Sequence, residues 1–214
     1  MTDDIRDQFT TAILSDSLDL VGLRHQVLDS RLRGLVPGSR ALGRARTATF
    51  EPTGIVDPVH PYDDAIDFID SANAGDLFVL ATAGSNESAV WGELFSAAAI
   101  GRGAVGMLTD GNVRDVDRTA VLGFAAFARS ARPIDFRGRM TLAARQRPVT
   151  IGGVVISPGD LVLADDDGIV VVPQAAETEV IAAATRRVNA ESVVLAELLA
   201  GSTLRAVWDK HRIL

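Results

Sequence analysis

Residues 89–115 read AVWGELFSAAAIGRGAVGMLTDGNVRD, and the change of pattern inside that stretch decides the fold. Its first part, 89–100, carries apolar residues at helical spacing and stops at Gly101, a residue suited to closing a helix. Residues 104–109 form a short apolar run expected as a buried strand, and Asp110, Gly111 and Asn112 have turn chemistry. The same alternation occurs upstream. Ala65, Ile66, Ile69 and Ala72 recur at helical spacing, Ala74, Gly75 and Asp76 turn the chain, and 77–82 is a second buried strand. Helices alternating with apolar strands imply an α/β sheet.

Further from this centre, Pro37, Gly38 and Gly43 precede an alternating strand over 44–50. Two short helices are expected at 3–14 and 16–23, the second capped by Ser15 or Asp16. Toward the C-terminus, residues 150–151, 154–156, 161–164 and 169–172 are short strands separated by Gly152-Gly153, Pro158-Gly159 and 165–168, which is a hairpin pattern. A helix over 175–200 follows and is closed by Gly201. No repeat or long linker divides the chain, so residues 1–214 are expected to form a single mixed α/β domain.

Apolar residues make up 47% of the chain and charged residues 23%, enough for a core and too apolar for disorder. A net charge of -7 argues against nucleic acid and anionic membranes as partners. The acidic residues 1–9 do not resemble a secretory signal, and no apolar run reaches the roughly 18 residues of a membrane span, so a cytoplasmic location is expected. Cysteine is absent, which excludes thiolate ligands and nucleophiles. Lys210 is the only lysine and lies four residues from the end, leaving Schiff-base chemistry almost no candidate. His25, His60 and His211 are too scattered for a histidine metal site, so any metal is expected to be a hard cation with oxygen ligands.

Gly101, Gly103 and Gly106 match G-x-G-x-x-G, but a helix precedes them and a strand follows, the reverse of a dinucleotide-binding turn. Asp165, Asp166 and Asp167 lack the spacing of a calcium loop and read as a hairpin turn with acids facing water. His60 reads as a surface residue without a partner. Arg114 and Asp115 differ, because they follow a strand end, where α/β sheets bind ligands. A guanidinium can fork onto a carboxylate or enolate oxygen while the adjacent carboxylate holds a divalent cation; a local ion pair is the plain alternative. A helix starting at Glu93 would put Leu94 and Phe95 in its first turn, where free N–H groups can bind a carboxylate. Glu93 could hold a water and accept a proton, or simply cap the helix.

Gly92-Glu93-Leu94, the three glycines after them and Asp110-Gly111-x-Val113-Arg114-Asp115 resemble the class II pyruvate aldolases related to the regulator of ribonuclease activity A, the RraA-like group. An acid, twenty intervening residues and Arg-Asp is that group's diagnostic spacing, met here by Glu93 and Arg114-Asp115. The likeness extends over most of the chain. It implies a swivelling β/β/α sandwich, phosphohistidine-domain-like, assembled as a homotrimer or hexamer with helix 175–200 at a subunit interface. It further implies that Asp115 is the sole protein ligand of Mg2+ or Mn2+, and that Arg114 contacts the keto oxygen. The amides of Leu94 and Phe95, next to Gly92, would hold the carboxylate, Glu93 would orient a water, and Glu191 of a neighbouring subunit would act as second acid. The implied reaction is cleavage of a 4-hydroxy-2-oxo acid of the 4-hydroxy-4-methyl-2-oxoglutarate type to pyruvate, or decarboxylation of oxaloacetate. The alternative is a non-catalytic regulator that binds a ribonuclease or helicase.

Overall fold

A computed structural model describes residues 8–29 and 31–213. Among these residues the main sheet has nine strands. Those on the main path run in the order β1 (Arg33–Gly34), β6 (Ala125–Ala131), β5 (Gly106–Val113), β3 (Asp76–Ala81), β2 (Ala41–Pro52), β10 (Leu161–Ala164) and β11 (Ile169–Val172). Two more strands, β4 (Ala89–Trp91) and β7 (Met140–Arg145), pair with β5 and β2 respectively. The central strands β2, β3, β5 and β6 are parallel, as is β4 on β5, while β10 and β11 return antiparallel. A separate hairpin joins β8 (Val149–Ile151) to β9 (Val154–Ile156).

The burial of β3 explains the layering. Leu77, Phe78, Val79 and Leu80 are all buried, the mark of a parallel strand covered on both faces. Phe78 and Leu80 join an aromatic cluster with Phe50, Phe68, Trp91, Phe124 and Phe136. Leu77 and Val79 point the other way, onto Ile151, Val154 and Ile156 of the small hairpin and Val162 and Val171 of β10 and β11. Alternate residues of those last strands, Leu161, Leu163, Val170 and Val172, face outward. They are covered by α1 (Thr11–Leu20) and by α5 (Glu177–Leu199), through Leu14, Leu18, Val180 and Ala184. The sheet therefore curls around the small hairpin, giving the mixed α/β, swivelling β/β/α arrangement expected from the sequence. Among the described residues no helix is long and apolar enough to cross a membrane.

Several local expectations need correction. Residues 11–20 form one helix, α1, capped by the Thr10 hydroxyl accepting from the Ile13 N–H at 3.2 Å, so Ser15 and Asp16 lie inside a helix instead of opening a second one. Residues 3–7 of the first expected helix lie outside the described residues. Residues 89–91 are a strand, and the helix α3 (Glu93–Gly101) begins only after Gly92. Asp110, Gly111 and Asn112 continue β5 instead of turning. Their turn-like chemistry serves a neighbouring loop, because Asp110 accepts from Thr82 N–H and hydroxyl and from Gly84 N–H at 2.6, 2.9 and 2.8 Å. The acids at 165–167 are not simply solvated either: Asp165 accepts from the Thr11 N–H and hydroxyl at 2.8 and 2.7 Å, and Asp166 from Gly38 N–H at 3.0 Å. His60 pairs with Asp63 at 2.8 Å. Among the described residues the remaining α-helices are α2 (Asp63–Asp70), α4 (Val116–Val121) and α6 (Leu204–His211); sequence periodicity does not indicate α4 or α6.

Candidate active site

Three parallel strands end side by side and each delivers one part of a cleft. Gly92 and Glu93 follow β4, Arg114 and Asp115 follow β5, and Asp135 and Phe136 lie beyond the end of β6. The backbone ties these ends together: Arg114 N–H donates to Trp91 O at 2.9 Å, and Ala89 N–H to Ile134 O at 2.7 Å. Gly92, Arg114, Asp115, Asp135 and Phe136, together with Tyr62, Ile66, Ala89, Trp91, Leu94 and Phe95, line a cleft of about 390 Å3. Carboxyl ends of parallel strands are the usual ligand position in such sheets.

Gly92 makes the close approach possible. A Cβ there would lie 2.6 Å from Asp115 Oδ2 and 3.0 Å from Arg114 Cγ, so any side chain would displace both residues. Just beyond, the Glu93 N–H donates to Asp115 Oδ2 at 3.3 Å, directing the N-terminal end of α3 toward that carboxylate. The amides of Leu94 and Phe95 occupy the same first turn, where an α-helix supplies no acceptor. Ser96 fixes this corner. Its buried hydroxyl donates to Gly92 O at 3.0 Å and accepts from Trp91 Nε1 at 2.8 Å.

Asp115 has φ 56 and ψ 38, the left-handed region that non-glycine residues seldom occupy. Strain of this kind collects at working sites. Arg114 lies between two carboxylates, with Nε 3.6 Å from Asp115 Oδ2 and Nη1 3.7 Å from Asp135 Oδ1. Both distances exceed hydrogen-bond length, so the guanidinium keeps donors for an incoming oxygen. Asp135 accepts the Tyr62 phenol through Oδ2, and its Oδ1 is buried without a hydrogen bond. Burial first, and then the bond to Asp135, pushes the Tyr62 phenol above its ordinary pKa.

The structure thus brings Gly92, Leu94, Phe95, Arg114 and Asp115 to one cleft. Glu93 contributes its amide there, whereas its carboxylate turns to Arg118 at 3.4 Å. Glu191 lies elsewhere in the chain, on α5, paired with Arg187 at 2.6 Å beside a groove lined by Ile13, Val188 and Leu195. Arg187 also pairs with Asp16 at 2.6 Å. Sequence reasoning missed Tyr62 and Asp135. Among the described residues no cluster of three or more His, Asp or Glu side chains could hold a metal. A single half-exposed carboxylate with loose protein contacts suits a hard cation that keeps most of its waters, so Asp115 fits that role.

A family model for RraA-like proteins, described as Aldolase/RraA, matches residues 11–171. Protein DlpA of Legionella pneumophila is 28% identical over 201 residues, covering 94% of this chain but 32% of DlpA, so the chain spans about a third of that relative. A protein of Halalkalibacterium halodurans named "Putative 4-hydroxy-4-methyl-2-oxoglutarate aldolase" is 28% identical over 188 residues, covering 83% of this chain and 79% of its own length. The crystal structure of Streptomyces coelicolor RraAS2, described as an unusual member of the RNase ES inhibitor RraA protein family, superposes with a TM-score of 0.79. That match has 28% identity and covers 91% of this chain and 96% of the other.

Proposed function

Because the chain belongs to the RraA-like family, we propose that it cleaves a 4-hydroxy-2-oxo acid of the 4-hydroxy-4-methyl-2-oxoglutarate type to pyruvate, and decarboxylates oxaloacetate, with a divalent cation. The observation that carries this reading is Gly92, whose missing side chain leaves room for Arg114 and Asp115 at the start of α3. The substrate's 2-oxo acid end docks with its carboxylate on the Leu94 and Phe95 amides and its keto oxygen toward Arg114. Asp115 would hold the Mg2+ or Mn2+ ion, which would supply further positive charge to stabilise the enolate. As the C–C bond breaks, negative charge collects on the keto oxygen, and Arg114, whose contacts to Asp115 and Asp135 are longer than hydrogen bonds, has donors to offer it. The partly exposed Glu93–Arg118 pair is weak enough for the carboxylate to turn and hold a water that relays the substrate's hydroxyl proton onto Glu93.

Glu191 acts, in this reading, from a neighbouring copy in a trimer or hexamer, with α5 at the subunit interface. Its pairing with Arg187 within one chain must then be exchanged for the neighbour's cleft. The test is pyruvate release from both substrates with Mg2+ or Mn2+, alongside calorimetric titration of each ion. Metal-dependent turnover that disappears with chelation is expected. The similarity to RraAS2 favours a second reading, a non-catalytic regulator of a ribonuclease or helicase. Absence of turnover combined with ribonuclease binding decides for it.

A further inference from the structure

We infer that Asp135, locked by Tyr62, is the residue that positions the Arg114 guanidinium in the cleft, an inference resting on the function proposed above. Arg114 has two carboxylates within 4 Å, and they differ in what else holds them. The Asp115 carboxylate accepts one long bond, from the Glu93 amide. Asp135 is fixed from several directions. Its Oδ2 accepts the Tyr62 phenol, its carbonyl accepts Arg139 Nη1 at 3.1 Å, and its backbone bridges to Ala89 on β4.

Tyr62 is held just as firmly. Its ring packs edge-on against Phe136 at 5.3 Å, and Phe136 in turn meets Phe50 and Phe95. The phenol remains protonated at neutral pH, since burial and the neighbouring carboxylate both oppose its ionisation. It is therefore a permanent donor to one oxygen of Asp135, and this fixes the direction of the other. That second oxygen, Oδ1, is buried and accepts no hydrogen bond, and the Arg114 guanidinium is the cation it meets, at 3.7 Å. A buried acceptor left unsatisfied is costly, so the arrangement draws Arg114 toward Asp135 and away from collapse onto Asp115. At that separation the attraction sets the orientation without consuming the donors needed by substrate. Asp135 acts through Arg114 and not on the substrate, because its free oxygen is covered.

A double-mutant cycle tests this with oxaloacetate and 4-hydroxy-4-methyl-2-oxoglutarate as substrates and Mg2+ present. Asp135→Asn is expected to lower kcat about 10- to 100-fold, the scale of a misplaced catalytic group. Tyr62→Phe, which keeps the ring, should lower it about fivefold by freeing the carboxylate. In an Arg114→Ala background, Asp135→Asn should add less than about a twofold loss, because the group it positions is gone. A full, multiplicative loss in the double variant overturns the inference, since a merely structural role would persist without Arg114. Should Asp135→Asn fail to fold, the same cycle with Tyr62→Phe decides. The cycle is repeated by calorimetry with oxalate as probe, expecting Asp135→Asn to weaken binding only while Arg114 is present. Wild-type protein inert toward both substrates would remove the proposed function, and the oxalate cycle would still decide the role of Asp135.

Discussion

Asp160 and Asp165, at the hairpin end of the sheet, are saturated with hydrogen bonds, while Asp115 and Asp135 in the cleft are left short of partners. Asp160 accepts from the N–H groups of Ser157 and Gln174 at 2.8 and 3.1 Å. Asp165 accepts from Thr11 twice and from Asp167 N–H at 3.0 Å, fastening α1 to the β10–β11 turn. Asp115, by contrast, has a 3.3 Å amide and a 3.6 Å guanidinium, and one oxygen of Asp135 has no hydrogen bond. The same side chain is spent on structure in one region, whereas in the other Asp115 is left open and Asp135 keeps one buried oxygen facing Arg114. Residue type therefore identifies neither role; the completeness of its hydrogen bonding does.

Substitutions in the two regions should separate along this line. The largest effect is expected for Asp115→Asn, with turnover falling about 1000-fold or more and thermal stability little changed, as measured by steady-state kinetics and calorimetric melting. Gly92→Ala should approach it, losing about 100-fold, because the new Cβ must push aside Asp115 Oδ2 and the Arg114 stem. Arg114→Lys should cost about 100-fold as well, since an ammonium cannot fork onto a carboxylate or enolate. At the hairpin end the outcome inverts: Asp165→Ala should lower stability by about 2 kcal/mol in denaturant titration while each folded molecule keeps its activity. Equal losses of activity at Asp165 and Asp115 would erase the distinction.

The smallest effect concerns the C-terminal helix α6. Hydrogen bonds first from Lys210 and then from His211 hold Glu197 below the usual carboxylate range. A depressed folded pKa adds stability above the unfolded value and loses it as pH falls through the folded value. The protection of α6 amides, taken relative to their intrinsic exchange rate at each pH, should therefore fall on acidification below the ordinary carboxylate range, while the protection of the central strands is unchanged.

The fold was legible wherever burial follows local pattern. The apolar runs at 77–82, 161–164 and 169–172 and the helix ending at Gly201 all reflect neighbours in sequence. The pattern misled where a polar residue bonds across strands: Asp110 and Asn112 look like a turn because their partners, Thr82 and Ser130, are remote. The site divides the same way. Gly92, Arg114 and Asp115 were legible because one strand–helix–strand passage fixes their spacing. Tyr62 and Asp135 come from a loop before α2 and a loop after β6, and only tertiary packing brings them together. Glu93 was read by residue type, but its amide reaches the cleft and its carboxylate does not.

The left-handed backbone at Asp115 has a practical corollary. A glycine would adopt that conformation without the roughly 1 kcal/mol or more that a side chain costs there. Selection of this protein for heat endurance alone would accordingly reward glycine at 115 and, under the proposed function, enrich robust variants without turnover, so a stabilisation campaign would have to score turnover in the same round.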